Sequence, residues 1–435
     1  MRLLKTLICL LLTVPAVAET IVFRNVTVIP MTSPRVMEKQ SVVVRDGRIQ
    51  SISKTPAVPK DATIIDGTGK FLIPGLADMH VHVPPVDAKA DLMSDTLLML
   101  LANGVTTARG MFGFPGHLAI RDKANKGELD SPTLYLAGPV FSNTTIASAE
   151  EAVERVRTQK KEGWDLLKVH NGLTRAQYDA MAKTAHAEKM RFGGHLPPSV
   201  DLNHAIEMGQ ESFEHMEGFI DAEATKAAMS DKKIAELAKR AKDAGIWIVP
   251  TEAMVEIVYG VTPLETLTKY PELKYSPQAA VDTWSKRYDE RLKQIPRSMA
   301  AFVVGNRRRM IRGLQDAGAK ILLGTDALQE FVEPGYSVLR EMESLRAAGL
   351  TPYEILRSAT VTPGEYFAKQ VAKPDSMGTI EPGKRADLVL LDGNPLDDIS
   401  NIAKISGVMA RGRWYPRDEL EIGLKRVTDK YRVGQ

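Results

Sequence analysis

Residues 71–83 read FLIPGLADMHVHV. The apolar run breaks at Pro74–Gly75, resumes, and finishes on two histidines one residue apart, His80 and His82. Side chains i and i+2 of a strand share a face, so a strand through this stretch turns both imidazoles the same way. Ionisable groups at the end of a buried strand are costly unless they are paired or bound to a metal. The pair therefore directs attention to the ends of other apolar runs.

Seven further runs follow the same plan: GVTTAR, TLYLAGP, LLKVH, RFGGH, ESFEH, IWIVPT and ILLGTD. Amphipathic stretches such as SAEEAVERVRTQKKEG and RAQYDAMAKTAHAEKM lie between them, and most of the spacing is about one βα unit, roughly 30 residues. Eight such units close most simply as a (β/α)8 barrel. An open doubly wound sheet is the alternative, and the Gly-rich phosphate loop that often marks one is absent. One interval is too long: residues 253–300, between IVPT and ILLGTD, form a helical insertion rich in aromatics such as Tyr259, Tyr270 and Trp284. Lid and added scaffold are the two readings of it.

The chain ends have another texture. TIVFRNVTVIP, SVVVRDGRIQSI and ATIIDGTGKFLI are short, β-branched and punctuated by Asp-Gly and Gly-Thr-Gly, and strands with Gly-bearing turns return in MGTIEPGKRADLVLLDG and ISGVMARGRWY. We expect a small β-sandwich domain built from residues 19–74 and 369–435, around an α/β catalytic domain of residues 75–368.

The 435 residues are 44% hydrophobic and 26% charged, an ordinary globular composition. MRLLK followed by TLICLLLTVPAVA and AVAET has the layout of a secretory signal peptide, residues 1–18, with cleavage after Ala18. The expected location is exported, periplasmic or secreted. The single cysteine, Cys9, falls in this segment. The mature chain then has neither disulfides nor thiolate ligands, and a metal would be held by imidazoles and carboxylates. The net charge is +3, and +1 once Arg2 and Lys5 are removed, which gives no electrostatic case for nucleic acid or an acidic membrane. The basic cluster NRRRM (306–310) reads as a solvated helical face.

The polar residues that end the runs are His80, His82, Lys168, His195, His215 and Asp326. In a barrel these positions face the catalytic mouth. Of eight histidines in the chain, four belong to this set. His186 and His204 fall in helical stretches, and His117 in a loop after the second run. His170 lies two residues beyond Lys168 and faces the mouth by the same alternation. Each residue alone has a plain reading, since Asp326 in GTDA is also a natural helix cap. Lys168 has three: snorkelling to solvent, pairing with Asp326, or carboxylation to a carbamate that bridges two metals. On the residues alone the first is favoured.

Taken together, GLADMHVH, LLKVH, GGHLP, SFEHMEG, LLGTDA and GTIEPGKRADLVLLDG resemble the amidohydrolase superfamily, and most closely its branch of imidazolonepropionase-related proteins and metal-dependent Xaa-Pro dipeptidases. The similarity runs over nearly the whole mature chain. It implies a TIM barrel with a two-ended β-sandwich. It also implies two divalent metal ions, zinc by default for His and carboxylate ligands. His80, His82 and Asp326 would hold the first and His195 and His215 the second, with carboxylated Lys168 bridging both. The chain departs from the family pattern near substrate, with Gly110 after Arg109, His170 where many relatives have tyrosine, and Leu339 where many have histidine.

The activity implied is hydrolysis of a C–N amide bond in a dipeptide, an N-acyl amino acid or a cyclic amide, by a hydroxide held between the two metals. Asp326 would act as catalytic base and then acid, and His170 and Arg109 would bind substrate. Lactones and phosphotriesters are alternative substrates of such a site. A non-catalytic binding protein of the same fold is the contrasting class. The expected partner is a small amide or peptide, with no nucleic acid and no membrane.

Overall fold

The structure, a computed structural model, describes residues 20–88, 91–369 and 376–432. The segment expected to be a signal peptide, with Cys9, lies outside the described residues. No helix among the described residues is long and apolar enough to cross a membrane.

The fold is mixed α/β. Strands β1 (Thr20–Val28), β2 (Met37–Arg45), β3 (Arg48–Ser53), β4 (Thr63–Asp66) and β5 (Phe71–Pro74) come from the N-terminal end. The chain then changes sheet. Strands β6 (Leu76–Val81), β7 (Val105–Gly110) and β8 (Thr133–Leu136) form one parallel sheet. A second holds β9 (Leu167–Val169), β10 (Phe192–Gly194), β11 (Ser212–Glu214), β12 (Trp247–Val249) and β13 (Lys320–Ile321), side by side in sequence order. These eight strands coincide with the eight apolar runs. Strands β14 (Leu388–Leu391), β15 (Ile405–Ala410) and β16 (Arg413–Pro416) return to the first sheet.

The quoted stretch makes the change of sheet. FLIP pairs with β1 and β14, and LADMHV pairs with β7. The corner at Gly75 passes so close to Thr106 that a Cβ there would lie 2.1 Å from its hydroxyl. Only glycine fits without displacing β7.

Backbone contacts also link the two parallel sheets at both ends. Ala137 bridges Leu166 and Phe141 bridges Val169, next to β8 and β9. At the other end Val81 bridges Ala327, Met79 donates to the Leu323 carbonyl at 2.9 Å, and Asp326 donates to the His80 carbonyl at 2.8 Å. Short parallel strands buried on both faces read as continuous apolar runs rather than alternating ones, which is why the runs stood out. The helices between them carry strong start signals. Ser148 and Ser230 cap Ala149–Glu162 and Asp231–Ala244, and Thr174 with Gln177 forms a capping box for Arg175–Ala187.

The terminal strands share a single eight-stranded sheet, in the order β16-β15-β14-β5-β1-β2-β3 with β4 also on β1. Its core includes Phe23, Val26, Val42, Leu72, Leu388 and Met409. Phe23 on β1 and Trp414 on β16 meet edge to face at 5.2 Å. Four strand spacings of about 4.8 Å would separate them on a flat sheet, so this sheet is strongly curled.

NRRRM is a solvated face only at Arg308 and Arg309. It lies in the helix Arg297–Ala317, where Asn306 and Arg307 are buried. Asn306 binds the Met229 amide and the carbonyls of Ala224 and Ala227, and Arg307 is fully engaged beside the site described next. His117 is likewise not in a loop. It begins the helix His117–Asn125, where it is buried against the Pro84 carbonyl.

Candidate metal centre

The six run-ending residues meet. The rings form a chain: His82 to His80 at 5.5 Å, His80 to His215 at 4.9 Å, His215 to His195 at 4.7 Å and His195 to His170 at 4.5 Å. Asp326 Oδ1 lies 3.1 Å from His80 Nε2 and 3.0 Å from His82 Nε2. Lys168 Nζ lies 3.4 Å from His80 Nε2. His80, His82 and Asp326 bring one ligand atom each within 4.8 Å of one another.

Local backbone contributes to the convergence. His215 just past β11, Thr251 a little beyond β12 and Asp326 in the loop after β13 have left-handed φ values of 58°, 49° and 63°. Such conformations cost about 1–3 kcal/mol each and gather where function requires them. The glycine before His195 is a second close approach. Gly194 has φ 134°, and a Cβ on it would press the Val169 carbonyl at 2.2 Å and Lys168 Cδ at 3.0 Å.

A further layer orients the imidazoles. His80 Nδ1 is 2.7 Å from Glu214, His195 Nδ1 is 2.8 Å from Glu217, and His215 Nδ1 is 2.8 Å from the Thr251 hydroxyl. Each partner accepts an Nδ1–H, which assigns the tautomer and leaves Nε2 as a bare lone pair. The His80 lone pair then faces the Asp326 carboxylate with no proton between them. Asp326 Oδ1 is buried and has no hydrogen-bond partner among the described residues. Electron pairs confronting one another at 3.1 Å repel unless a cation lies among them. The donor set of imidazole nitrogens and a carboxylate suits a divalent ion such as zinc.

Lys168 does not snorkel. It is 1% exposed, and burial pushes its amine down to about 8. Burial lowers His82 and His195, and lowers His215 strongly, so these rings are neutral ligands at neutral pH. His170 is half-buried at the end of the ring chain and pushed down to about 4, by burial and then by His195.

Arg109, expected at substrate, is placed elsewhere. It is fully buried, with Nε on the Met79 carbonyl at 2.6 Å, Nη1 on Ser212 and Tyr366, and Nη2 on Glu214 at 2.8 Å. Its donors are committed to holding Glu214 beneath His80. Leu339 packs on the core from the helix Tyr336–Ala347 and lines a separate cavity with Pro271 and Arg417.

Sequence reasoning missed Glu214, Glu217, Thr251 and Arg307. Arg307 donates to the carbonyls of His215 at 2.6 Å and Pro250 at 2.7 Å while pairing with Glu252 at 2.7 Å. It thus clamps the segments that carry His215 and Thr251. The one signal for Glu214 in the sequence is a carboxylate inside the apolar run ESFEH, a position that requires a buried partner.

The insertion has its own small core, including Ile257, Leu267, Tyr288 and Phe331. With the loop after Asp326 it borders an open cavity of about 490 Å³, lined in part by Asp326.

The family model described as "Amidohydrolase family" matches residues 71–415. An enamidase of Eubacterium barkeri is 33% identical over 170 residues, 36% of this chain and 44% of its own length. The chain spans less than half the length of the curated relatives it matches. Among solved structures, a bottromycin amidohydrolase superposes with a TM-score of 0.75 at 23% identity, covering 95% of this chain and 91% of its own. A Xaa-Pro dipeptidase with methionine bound in its active site gives 0.68 at 23% identity, covering 92% and 100%. At such identities the likeness is one of fold.

Proposed function

The chain belongs to the amidohydrolase family, and from that premise we propose that it is a metal-dependent hydrolase cleaving a C–N amide bond in a dipeptide, an N-acyl amino acid or a cyclic amide. The observation that carries this reading is the meeting of four imidazoles, a buried lysine and an orphaned carboxylate at the ends of separate parallel strands. We read β6–β13 as a closed (β/α)8 barrel, because contacts join its two sheets at both ends. The curled terminal sheet is read as a small sandwich. Residues 75–368 form the catalytic unit, and 19–74 with 369–435 form the other.

His80, His82 and Asp326 would hold one divalent ion and His195 and His215 a second, both shared by Lys168. Burial lowers the lysine amine to about 8, so a minor deprotonated fraction at neutral pH would add to carbon dioxide and lose a further proton to give an anionic carbamate. Bound there, divalent ions supply Lewis acidity and make water at the site far more acidic than in bulk. Asp326 takes the proton of the attacking water and returns it to the leaving nitrogen, as general base then acid. His170, neutral at neutral pH, hydrogen-bonds the substrate at the rim. Glu214, Glu217 and Thr251 hold the ligands, and Arg109 holds Glu214.

The test is a panel of dipeptides, N-acyl amino acids and cyclic amides offered to the zinc-loaded chain. At least one class is expected to be hydrolysed, with activity lost on chelation and restored by a divalent ion. Hydrolysis untouched by chelation, or turnover of lactones or phosphotriesters with no amide turned over, would overturn the reading.

A further inference from the structure

The cavity beside Asp326 has a chemistry of its own. One wall is apolar: Met254, Ile257 and Val258 from the helix Glu252–Val258, and Trp284 from the helix Gln278–Leu292. Trp284 is held edge to face on Phe331 at 5.6 Å. The same helix adds two guanidinium groups one helical turn apart, Arg287 and Arg291, beside the carboxylate of Glu330. Arg291 Nη1 reaches Glu330 at 3.0 Å and Arg287 Nη1 reaches it at 3.4 Å.

Of the two carboxylates in the lining, Asp326 lies against His80 and His82, which leaves Glu330 to the two guanidinium groups. One carboxylate serves two cations, and its two oxygens are divided between them. Nε and Nη2 of Arg291 are buried with no hydrogen-bond partner among the described residues. Those two atoms are sealed from solvent, but the Arg287 side chain is 66% exposed, and a guanidinium presents donors in a fork that fits a second carboxylate. The cavity thus combines an apolar lining, a guanidinium pair sharing one carboxylate and the candidate catalytic carboxylate.

We propose that this cavity is the specificity pocket, and that it takes an apolar side chain whose residue ends in a free carboxylate held by Arg291 and Arg287. Glu330 is the stand-in counter-ion of the empty pocket. The proposal rests on the amide-hydrolase reading above and narrows it. Substrates are amides of large apolar amino acids with a free carboxyl end, and neutral cyclic amides are excluded. The insertion is then neither inert scaffold nor a plain cover, since it supplies the groups that choose the substrate.

The test is binding rather than turnover, so that it stands apart from the chemistry. The probes are 4-phenylbutyrate and its neutral counterpart 4-phenylbutanamide, titrated into the zinc-loaded chain by calorimetry. The carboxylate is expected to bind about tenfold tighter than the amide. In the double variant Arg287→Met/Arg291→Met the preference falls below about twofold. If that variant does not fold, Glu330→Gln decides alone: freeing both guanidinium groups should tighten the carboxylate several-fold and leave the amide unchanged. No preference in the wild-type chain overturns the proposal. So does a preference that survives the double variant, which would place the carboxylate on the metals, or one that Glu330→Gln leaves unmoved. Carboxylate binding that behaves as expected while no amide is hydrolysed would instead sink the reaction and keep the pocket.

Discussion

Asp326→Asn is expected to lower kcat/KM on the hydrolysed amide by about 10³–10⁴-fold, roughly 4–5.5 kcal/mol of barrier, while the chain still folds. The substitution suits the position. Asp326 sits at φ 63°, a conformation that asparagine tolerates better than other residues, and the shape is unchanged. Its Oδ1 is buried without a hydrogen-bond partner among the described residues, so the exchange breaks no bond of the fold there. What asparagine cannot do is carry a proton between the attacking water and the leaving nitrogen, or neutralise a cation beside His80 and His82. Steady-state kinetics with circular dichroism separate the two effects. A variant that kept more than about a tenth of wild-type kcat/KM would remove Asp326 from the proton transfer, since general acid–base groups are worth far more.

Glu214→Gln should cost stability as well as metal. Glu214 is fully buried, with Oε1 accepting from Arg109 Nη2 and Ser212 Oγ, each at 2.8 Å, and Oε2 facing His80 Nδ1 at 2.7 Å. Burial opposes its charge, but Arg109 and then His80 hold it well below the usual carboxylate range. The amide removes that charge and leaves the Arg109 guanidinium buried without its counter-ion. Breaking a buried pair in this way costs about 3–5 kcal/mol. The amide also has only one acceptor. If its oxygen stays with Arg109 and Ser212, its NH2 faces His80 and forces the proton onto Nε2, the atom meant for the metal. If it turns round, the NH2 points at a guanidinium. Denaturant unfolding is expected to show the loss, and zinc titration a weakening of about 10–100-fold. A variant as stable as wild type that binds zinc equally well would show that Glu214 orients nothing.

The sequence disclosed what repeats and hid what reaches across. The eight parallel strands were legible because strands buried on both faces are unbroken apolar runs, and an ionisable residue closing such a run is conspicuous. His80, His82, Lys168, His195, His215 and Asp326 were all found by that single rule, and the structure brings them together. The surroundings obey longer-range logic. Arg307 lies in a basic cluster that reads locally as a wet face, and its partner Glu252 is 55 residues away in the chain. Arg109 follows an apolar run and invites a substrate role, yet its acceptors come from β6, β11 and the helix Val361–Ala368. Lys168 reads alone as a side chain long enough to reach water, and only the packing around it shows that it does not. The curled terminal sheet was visible as strands at both ends, while the interleaving of β5 between β1 and β14 depends on partners no local pattern names.

The central claim is that one rim of side chains holds two cations through a shared lysine. It is tested most directly by counting divalent metal per chain in the purified protein and in Lys168→Ala. The account predicts about two ions per chain in the wild type, and in the variant a fall in metal content together with loss of amide hydrolysis. A variant with wild-type metal content and wild-type rate would contradict it.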